Sequence, residues 1–360
     1  MIIIKKILYI INIICALGLM LTYIPAFISQ DIFTKVSLLG YLYPLLLVTN
    51  CVFVIIWIFL KPRHILLPLI AIIIRFDYIT RLVNINSYDE GGVLKVLTYN
   101  VHDFVHGNEN DNFLGTVTLQ DSILNYISNS QAHILCLQDY DVNITWEKGF
   151  HKFLTDSLGY THFYFYYVGD EYVSNCCIYS KFPITDAGSA MENDSKRHYL
   201  LYSDIRTPWQ TVRIYNFHLI SYMLGDKEKS AYKSILNGNI TNEASKSLIS
   251  KITTANKIRA KQIKQIIPEI EKQQKPVIVC GDFNDHPFSN TYHRFSKILS
   301  DSFTKKGNGI GKTYNGIFPA YRIDYIWYDK SRLECINYKC DYKDFSDHYP
   351  VTATFNIKKQ

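Results

Sequence analysis

Several things are scarce in this 360-residue chain, and each scarcity excludes a class of protein. No Cys-x-x-Cys pair occurs among its eight cysteines, which argues against structural zinc. Cys15 and Cys51 lie in apolar runs, and Cys136 and Cys280 sit inside apolar strand patterns, where a thiol acts as a small hydrophobe. Only Cys335 and Cys340 offer a pairing, conditional on an oxidising compartment. No internal repeat or low-complexity linker is present. Net charge is also scarce over most of the chain. Residues 1–82 hold seven basic side chains against two acidic ones, and the remaining 278 hold 31 against 30. That balance removes the clustered basic excess that marks nucleic-acid binding by composition. With 48 % hydrophobic and 19 % charged residues, the chain is nevertheless built to bury a large core.

Charge is absent altogether from residues 7–28 and 36–60, and each run exceeds the ~20 residues needed to cross a bilayer. The first is too long for a signal peptide and is followed at once by a second. A third apolar stretch, 65–74, extends through Phe76, Tyr78, Ile79, Leu82 and Val83 to a length that could span, with Arg75 and Asp77 near one end. Lys5, Lys6 and the Lys61-Pro62-Arg63-His64 loop are the positive flanks and belong in the cytoplasm. Three spans place everything after about residue 85 outside the cytoplasm, whereas two keep it inside; we expect three. The membrane runs lack the buried charge pairs and interrupted repeats of transporters. The expected division is a membrane anchor over 1–85 and a catalytic domain over 90–360, in the inner membrane of a cell.

Beyond Asn84 the pattern turns to short β-rich runs at 93–101, 133–137, 162–168, 176–179, 200–205, 211–217, 277–280, 323–328 and 351–357. The run 162–168 reads as a core strand with alternate tyrosines exposed. Ile258, Gln262, Ile263, Ile266, Ile267 and Ile270 fall on one helical face, with Lys257, Arg259, Lys261 and Lys264 outside. A weaker helix covers 116–130, and the polar stretch 224–254 reads as an irregular excursion.

Polar residues recur at the ends of these runs. They form six stations: Thr98-Tyr99-Asn100-Val101-His102, Leu137-Gln138-Asp139, Tyr215-Asn216-Phe217-His218, Gly281-Asp282-Phe283-Asn284-Asp285, Arg322-Ile323-Asp324-Tyr325 and Ser346-Asp347-His348-Tyr349-Pro350. Singly each is an ordinary turn. In this order, with the supporting segment from Asn175 through Ser180-Lys181-Phe182-Pro183-Ile184, they resemble the endonuclease/exonuclease/phosphatase superfamily of metal-dependent phosphoesterases, over about residues 93–357.

The resemblance implies an α/β four-layer sandwich, two mixed β-sheets face to face with helices outside. It implies Mg²⁺ held by Asn100 and Asp139, with Asp347 on the metal side. Asp282 would orient or deprotonate the attacking water, and Asn284 would steady the phosphoryl oxygens. His218 and His348 would donate to non-bridging oxygens, with Asp324 behind His348. His102, Asn175 and Arg322 are candidates to line the substrate pocket. The family usually has Glu after Gln, and here Asp139 is one methylene shorter. That departure admits Mn²⁺ or Ca²⁺, and leaves open a silent phosphate-binding membrane module in place of a hydrolase. The implied partners are a phosphoester substrate, nucleic acid or lipid headgroup, and the lipid bilayer.

Overall fold

The computed structural model describes all residues except 1, 88, 105–112, 115–116, 148, 169–170, 191–199, 223–229, 231–233, 235–241, 317–321 and 359–360. The chain divides into two units. One comprises Met1–Leu82, Met223–Lys261 and His286–Arg294; the other comprises Val83–Tyr222, Gln262–Asp285 and Phe295–Gln360.

In the first unit, helices α1 (Ile2–Leu21) and α2 (Tyr43–Leu60) are joined by 3-10 turns. The spans Ile3–Ala26 and Val36–Leu60 are long and apolar enough to cross a membrane, and only 28 % and 22 % of them is buried. That exposure separates them from the core helices of a soluble protein. The third stretch does not form one spanning helix. A 3-10 turn at Pro62–Ile65 leads into α3 (Leu66–Ile73), and the chain breaks before α4 (Phe76–Leu82). At that break the Arg75 guanidinium donates to both carboxylate oxygens of Asp77 at 2.8 Å.

The three apolar legs nevertheless alternate in direction. Lys5 Nζ donates to Leu60 O, joining the start of α1 to the end of α2. Tyr23 Oη donates to Ala71 O, and Tyr23, Tyr43 and Tyr78 meet edge to face or tilted within 6.1 Å, joining the opposite ends. Phe288 enters this aromatic knot beside Tyr43 and Tyr78, and Arg81 donates to Pro287 O.

In the second unit, alternation builds two sheets. β1 (Leu94–Asn100), β2 (Ile134–Gln138), β3 (His162–Val168) and β4 (Glu171–Ser180) belong to the first. β5 (Ile184–Ser189), β6 (Leu200–Arg206), β7 (Thr211–His218), β8 (Val277–Asp282), β9 (Ser300–Asp301) and β10 (Asp324–Tyr328) make the second. The chain then returns to the first through β11 (Leu333–Cys340) and β12 (Val351–Ile357). The orders are β11-β12-β1-β2-β4-β3 and β9-β10-β8-β7-β6-β5. Only β1–β2 and β7–β8 are parallel within these two sheets, so both are mixed.

Period-two alternation sends Leu94 and Val96, Ile134 and Cys136, Val212 and Ile214, and Ile278 and Cys280 into one core between the sheets. The opposite face of the first sheet, with Leu97, Tyr99, Leu135 and Leu137, is covered by α5 (Leu119–Ser130) through Leu119, Ile123 and Ile127. On the outer face of the second, Phe295 packs against Phe217, Phe283 and Trp327. The expected four-layer sandwich is the observed one.

Helix α6 (Asn242–Glu271) begins well inside the stretch read as irregular. The signal is there in retrospect: Leu248, Ile252 and Ala255 are buried at helical spacing among polar neighbours. The face is also rotated from expectation, for Arg259 is fully buried, donating to Asn256, while Ile258 is 41 % exposed. Helix α7 (Asn290–Ile298) and β11 were not anticipated. A bulge between Cys335 and Asn337 shifts the alternation of β11 and hides it. β3 is a core strand as expected, with Phe165 buried, but Tyr164 is partly buried against the inter-sheet core where exposure was expected and Phe163 lies at the exposed end; the side chains at 166 and 167 are outside the described residues. Cys335 and Cys340 are both unpaired, and their sulfurs approach the carbonyls of Asn337 and Lys312.

Candidate active site

The inward-facing rows that build the inter-sheet core turn polar at one end. Val96 is followed on the same face by Thr98 and Asn100, Cys136 by Gln138, Ile214 by Asn216 and His218, and Cys280 by Asp282. Register brings these ends together: Asn100 pairs with Gln138, His218 with Asp282, and Asp282 with Asp324. Val351 pairs with Thr98, which delivers the preceding Ser346–His348 turn to the same place. Thus the site is the polar continuation of the core.

Below it lies a buried amide pair that the sequence reading did not single out. Gln138 Nε2 donates to Asn216 Oδ1 and, at 3.0 Å, to Thr98 Oγ1. Asn216 Nδ2 donates to the carbonyls of Leu137 and Cys177 at 2.9 and 2.8 Å. Asn216 belongs to the second sheet and its three partner residues, Gln138, Leu137 and Cys177, to the first, so the pair ties the sheets directly beneath the site.

Asn100 Nδ2 lies 3.1 Å from Asp139 Oδ2 and 3.2 Å from Asp282 Oδ2, so two carboxylates from different sheets share one neutral donor. Asp282 also accepts from the Asn284 backbone N–H at 2.8 Å and from its side-chain amide at 3.1 Å. His218 presents Nδ1 to Asp139 at 3.4 Å and Nε2 to Asp282 at 3.6 Å. His348 Nδ1 lies 3.0 Å from Asp324 and its Nε2 lies 3.7 Å from Asp282. Burial pushes the Asp282 carboxyl up to about 6, against the pull of His348. Burial works against charge on His348 too, but Asp324 and Asp282 overcome it and raise the imidazole to about 10.

His102 Nδ1 lies 3.2 Å from Asp347, and that contact raises the imidazole. Burial alone would raise the Asp347 carboxyl; His102 and His348 hold it well below the usual range. Asp103, missed by the sequence reading, is pushed up to about 6 by burial and by Asp139. Tyr314 was also missed: it bridges to His348 through the backbone and sets its ring edge-on to the imidazole at 5.1 Å.

His102, Asp103, Phe104, Asp139 and Asn284 all have positive φ, a concentration of unusual backbone at one place.

Nine of the eleven anticipated residues therefore converge: Asn100, His102, Asp139, His218, Asp282, Asn284, Asp324, Asp347 and His348. Arg322 does not line the site. Its guanidinium is fully buried, donating to both Asp301 oxygens at 2.9 and 2.6 Å and lying over the Phe303 and Tyr325 rings. It ties the chain entering β10 to β9. Asn175 is in β4, and its side chain lies outside the described residues.

The donor set suits a hard divalent cation. Four carboxylates, Asp139, Asp282, Asp324 and Asp347, face three imidazoles, and oxygens of Asp282 and Asp324 lie within 4.8 Å of one another and of a His348 nitrogen.

The signature of the endonuclease/exonuclease/phosphatase family matches residues 97–348, and the chain belongs to that family. A second family, described as a domain of unknown function, matches residues 5–82. No curated protein matches the chain. Among solved structures, an endonuclease/exonuclease/phosphatase from Beutenbergia cavernae is 16 % identical, with 73 % of this chain and 71 % of that one covered and a TM-score of 0.49. The human Nocturnin catalytic domain with bound sulfate is 18 % identical (75 % and 96 % covered, TM-score 0.49). A mannosyl-6-phosphatase from Bacteroides thetaiotaomicron is 17 % identical (73 % and 100 % covered, TM-score 0.48).

With the family's fold and a convergent acid–histidine site, the chain is a phosphoric ester hydrolase of a class that typically depends on a divalent metal.

Proposed function

We propose that the chain is a membrane-anchored, Mg²⁺-dependent phosphodiesterase that hydrolyses its substrate by in-line attack of water. The observation that carries this reading is the convergence of Asp282, Asp324 and His348 with Asn100, Asp139 and His218 at one end of the sandwich. Asn100 and Asp139 would hold the ion, which supplies charge neutralisation at the phosphoryl and leaving oxygens when bound.

Asp282 accepts the proton of the attacking water. Its carboxyl, raised only to about 6, is ionised at neutral pH and basic enough for the task. Asn284 holds both oxygens of Asp282 and is itself fixed by donating to Leu219 O at 3.0 Å. His348, kept protonated by Asp324, donates to a non-bridging oxygen, and His218 donates to another. Asp347 orients His102 at the rim.

The bilayer anchor and near-neutral charge of the remaining chain favour a phosphodiester met at a membrane, a lipid headgroup or a nucleic acid arriving there. The alternating legs support an extracytoplasmic catalytic domain. Lys5 and the Lys61–Arg63 loop sit at one end of the helical unit, and the chain leaves at Leu82 from the other. The positive-inside rule then keeps the basic end in the cytoplasm and puts residues beyond 85 on the far side of the inner membrane.

The test uses the full chain in detergent with Mg²⁺ or Mn²⁺, offered plasmid DNA, sphingomyelin and a phosphoinositide beside Asp282→Asn and His348→Ala. Cleavage of one class by the wild type, reduced at least about 100-fold in each variant, supports the reading and names the substrate. Equal rates in all three proteins contradict it.

A further inference from the structure

Strand alternation places Lys95 of β1, Lys339 of β11 and Thr352 of β12 on the outer face of the first sheet, near the edge of the area that α5 covers. Helix α5 buries Leu119, Ile123 and Ile127 and turns a polar flank of Ser122, Asn125 and Asn129 along the same face. Between them is a cavity of about 360 Å³, within the range of small-ligand pockets. Its walls carry three lysines, Lys95, Lys339 and Lys343, against the single carboxylate of Asp341.

That carboxylate is already engaged. Asp341 accepts from Lys339 Nζ at 2.7 Å and from Tyr126 Oη at 2.9 Å. Among the described residues, the Lys95 and Lys343 ammonium groups have no carboxylate within ion-pair distance. Lys95 is half-buried, and burial together with its neighbour Lys339 lowers its ammonium below the ordinary lysine range. Two like charges held close in a recess that offers hydroxyls and amides, with their one counter-ion spoken for, are set up for an anion with several acceptor oxygens. The Lys343–Phe345 wall runs directly into Ser346, whose hydroxyl donates to Asn100 O at the catalytic end.

We propose that this cavity binds a phosphate-bearing anion of the size of pyrophosphate or a phosphomonoester, at a site separate from the catalytic carboxylates. Lys95, Lys339 and Lys343 neutralise it, and the side-chain amide of Asn125, whose oxygen accepts from Asn129, is placed in the wall to donate to its oxygens. The chemistry is that of a phosphate group, whether on a soluble ester or on a lipid headgroup.

The experiment is lysine footprinting on the full chain in detergent. Acetylation of each lysine by a water-soluble succinimide ester is read by mass spectrometry, with and without inorganic pyrophosphate in EDTA. Acetylation of Lys95, Lys339 and Lys343 is expected to slow several-fold while Lys330 and Lys358, which do not line the cavity, do not change. Asp341→Asn removes the competing carboxylate without removing a lysine, and should lower the pyrophosphate concentration for half-protection about fivefold. Glycerol 3-phosphate and vesicles of phosphatidylcholine with phosphatidic acid then separate the two sources: protection by the first alone indicates a soluble ester, and by the vesicles alone a headgroup. Unchanged labelling of Lys95 with every probe overturns the proposal, as does equal protection in wild type and Asp341→Asn.

Discussion

Gly281 shows how one backbone position sets the geometry of the site. Its φ is +130°, and a Cβ there would stand 2.0 Å from Phe217 O and 2.7 Å from Phe217 N in the adjacent parallel strand. Only glycine lets β8 run this close to β7 and still turn Asp282 inward. Gly281→Ala should therefore destabilise the chain by about 3 kcal/mol or more, read as the fall in denaturation midpoint of the detergent-solubilised protein; a fall under about 1 kcal/mol would contradict this account.

A second prediction at this scale concerns pH. Asp204 is fully buried and receives both arms of the Arg213 fork at 2.7 and 2.8 Å, with Lys275 alongside. Burial raises the carboxyl, but the hydrogen bonds from Arg213 and Lys275 outweigh it and hold it below its ordinary value. A depressed folded-state pKa means the contribution is present above the unfolded value of about 3.9 and fades as pH falls through the folded one. Asp204→Asn should cost about 3 kcal/mol at pH 7, and the gap to wild type should narrow below about pH 4. A gap constant between pH 7 and pH 3 would show that the charge is not the cause.

Among elements, the tie between Gln138 and Asn216 carries the coupling of the two sheets. Cutting it with Asn216→Leu leaves the carbonyls of Leu137 and Cys177 without their side-chain donor and the Gln138 amide with one acceptor fewer. We expect a loss of about 3 kcal/mol, with reduced activity because Asn100 and His218 stand two residues or fewer along the tied strands. A variant of full stability and activity would show the tie to be incidental. The strands and stations were legible in the sequence because apolar alternation ends abruptly in Asn, His or Asp at each of them. The tie was not, since a Gln inside Leu-Cys-Leu-Gln-Asp reads equally as a turn residue. Arg322 misled for the opposite reason: its partner Asp301 is 21 positions away, and only the fold reveals the ion pair that removes it from the pocket. The early part of α6 was obscured by its polar composition, and β11 by its bulge.

For the molecule as a whole, the structure groups 223–261 and 286–294 with residues 1–82, whereas composition points to an apolar region with the basic excess followed by a balanced α/β region. It overextended the third apolar leg, because an uncharged run of ten residues and the aromatic residues after Arg75 looked continuous where the backbone breaks. The full chain should stay with the membrane after alkaline carbonate extraction, and a protease added to intact spheroplasts should reach sites beyond residue 85. Protection of those sites in intact cells, with cleavage only after lysis, would reverse the proposed sidedness.

Bis(p-nitrophenyl) phosphate reports whether the convergent acids and histidines form a metal-dependent phosphodiester hydrolase. Full-length protein is stripped with EDTA and titrated back with Mg²⁺ while p-nitrophenolate release is followed, beside Asp282→Asn. No turnover is expected without metal, saturable turnover with it, and a loss of at least about 100-fold in the variant. Turnover that ignores metal, or that survives Asp282→Asn unchanged, would contradict that expectation.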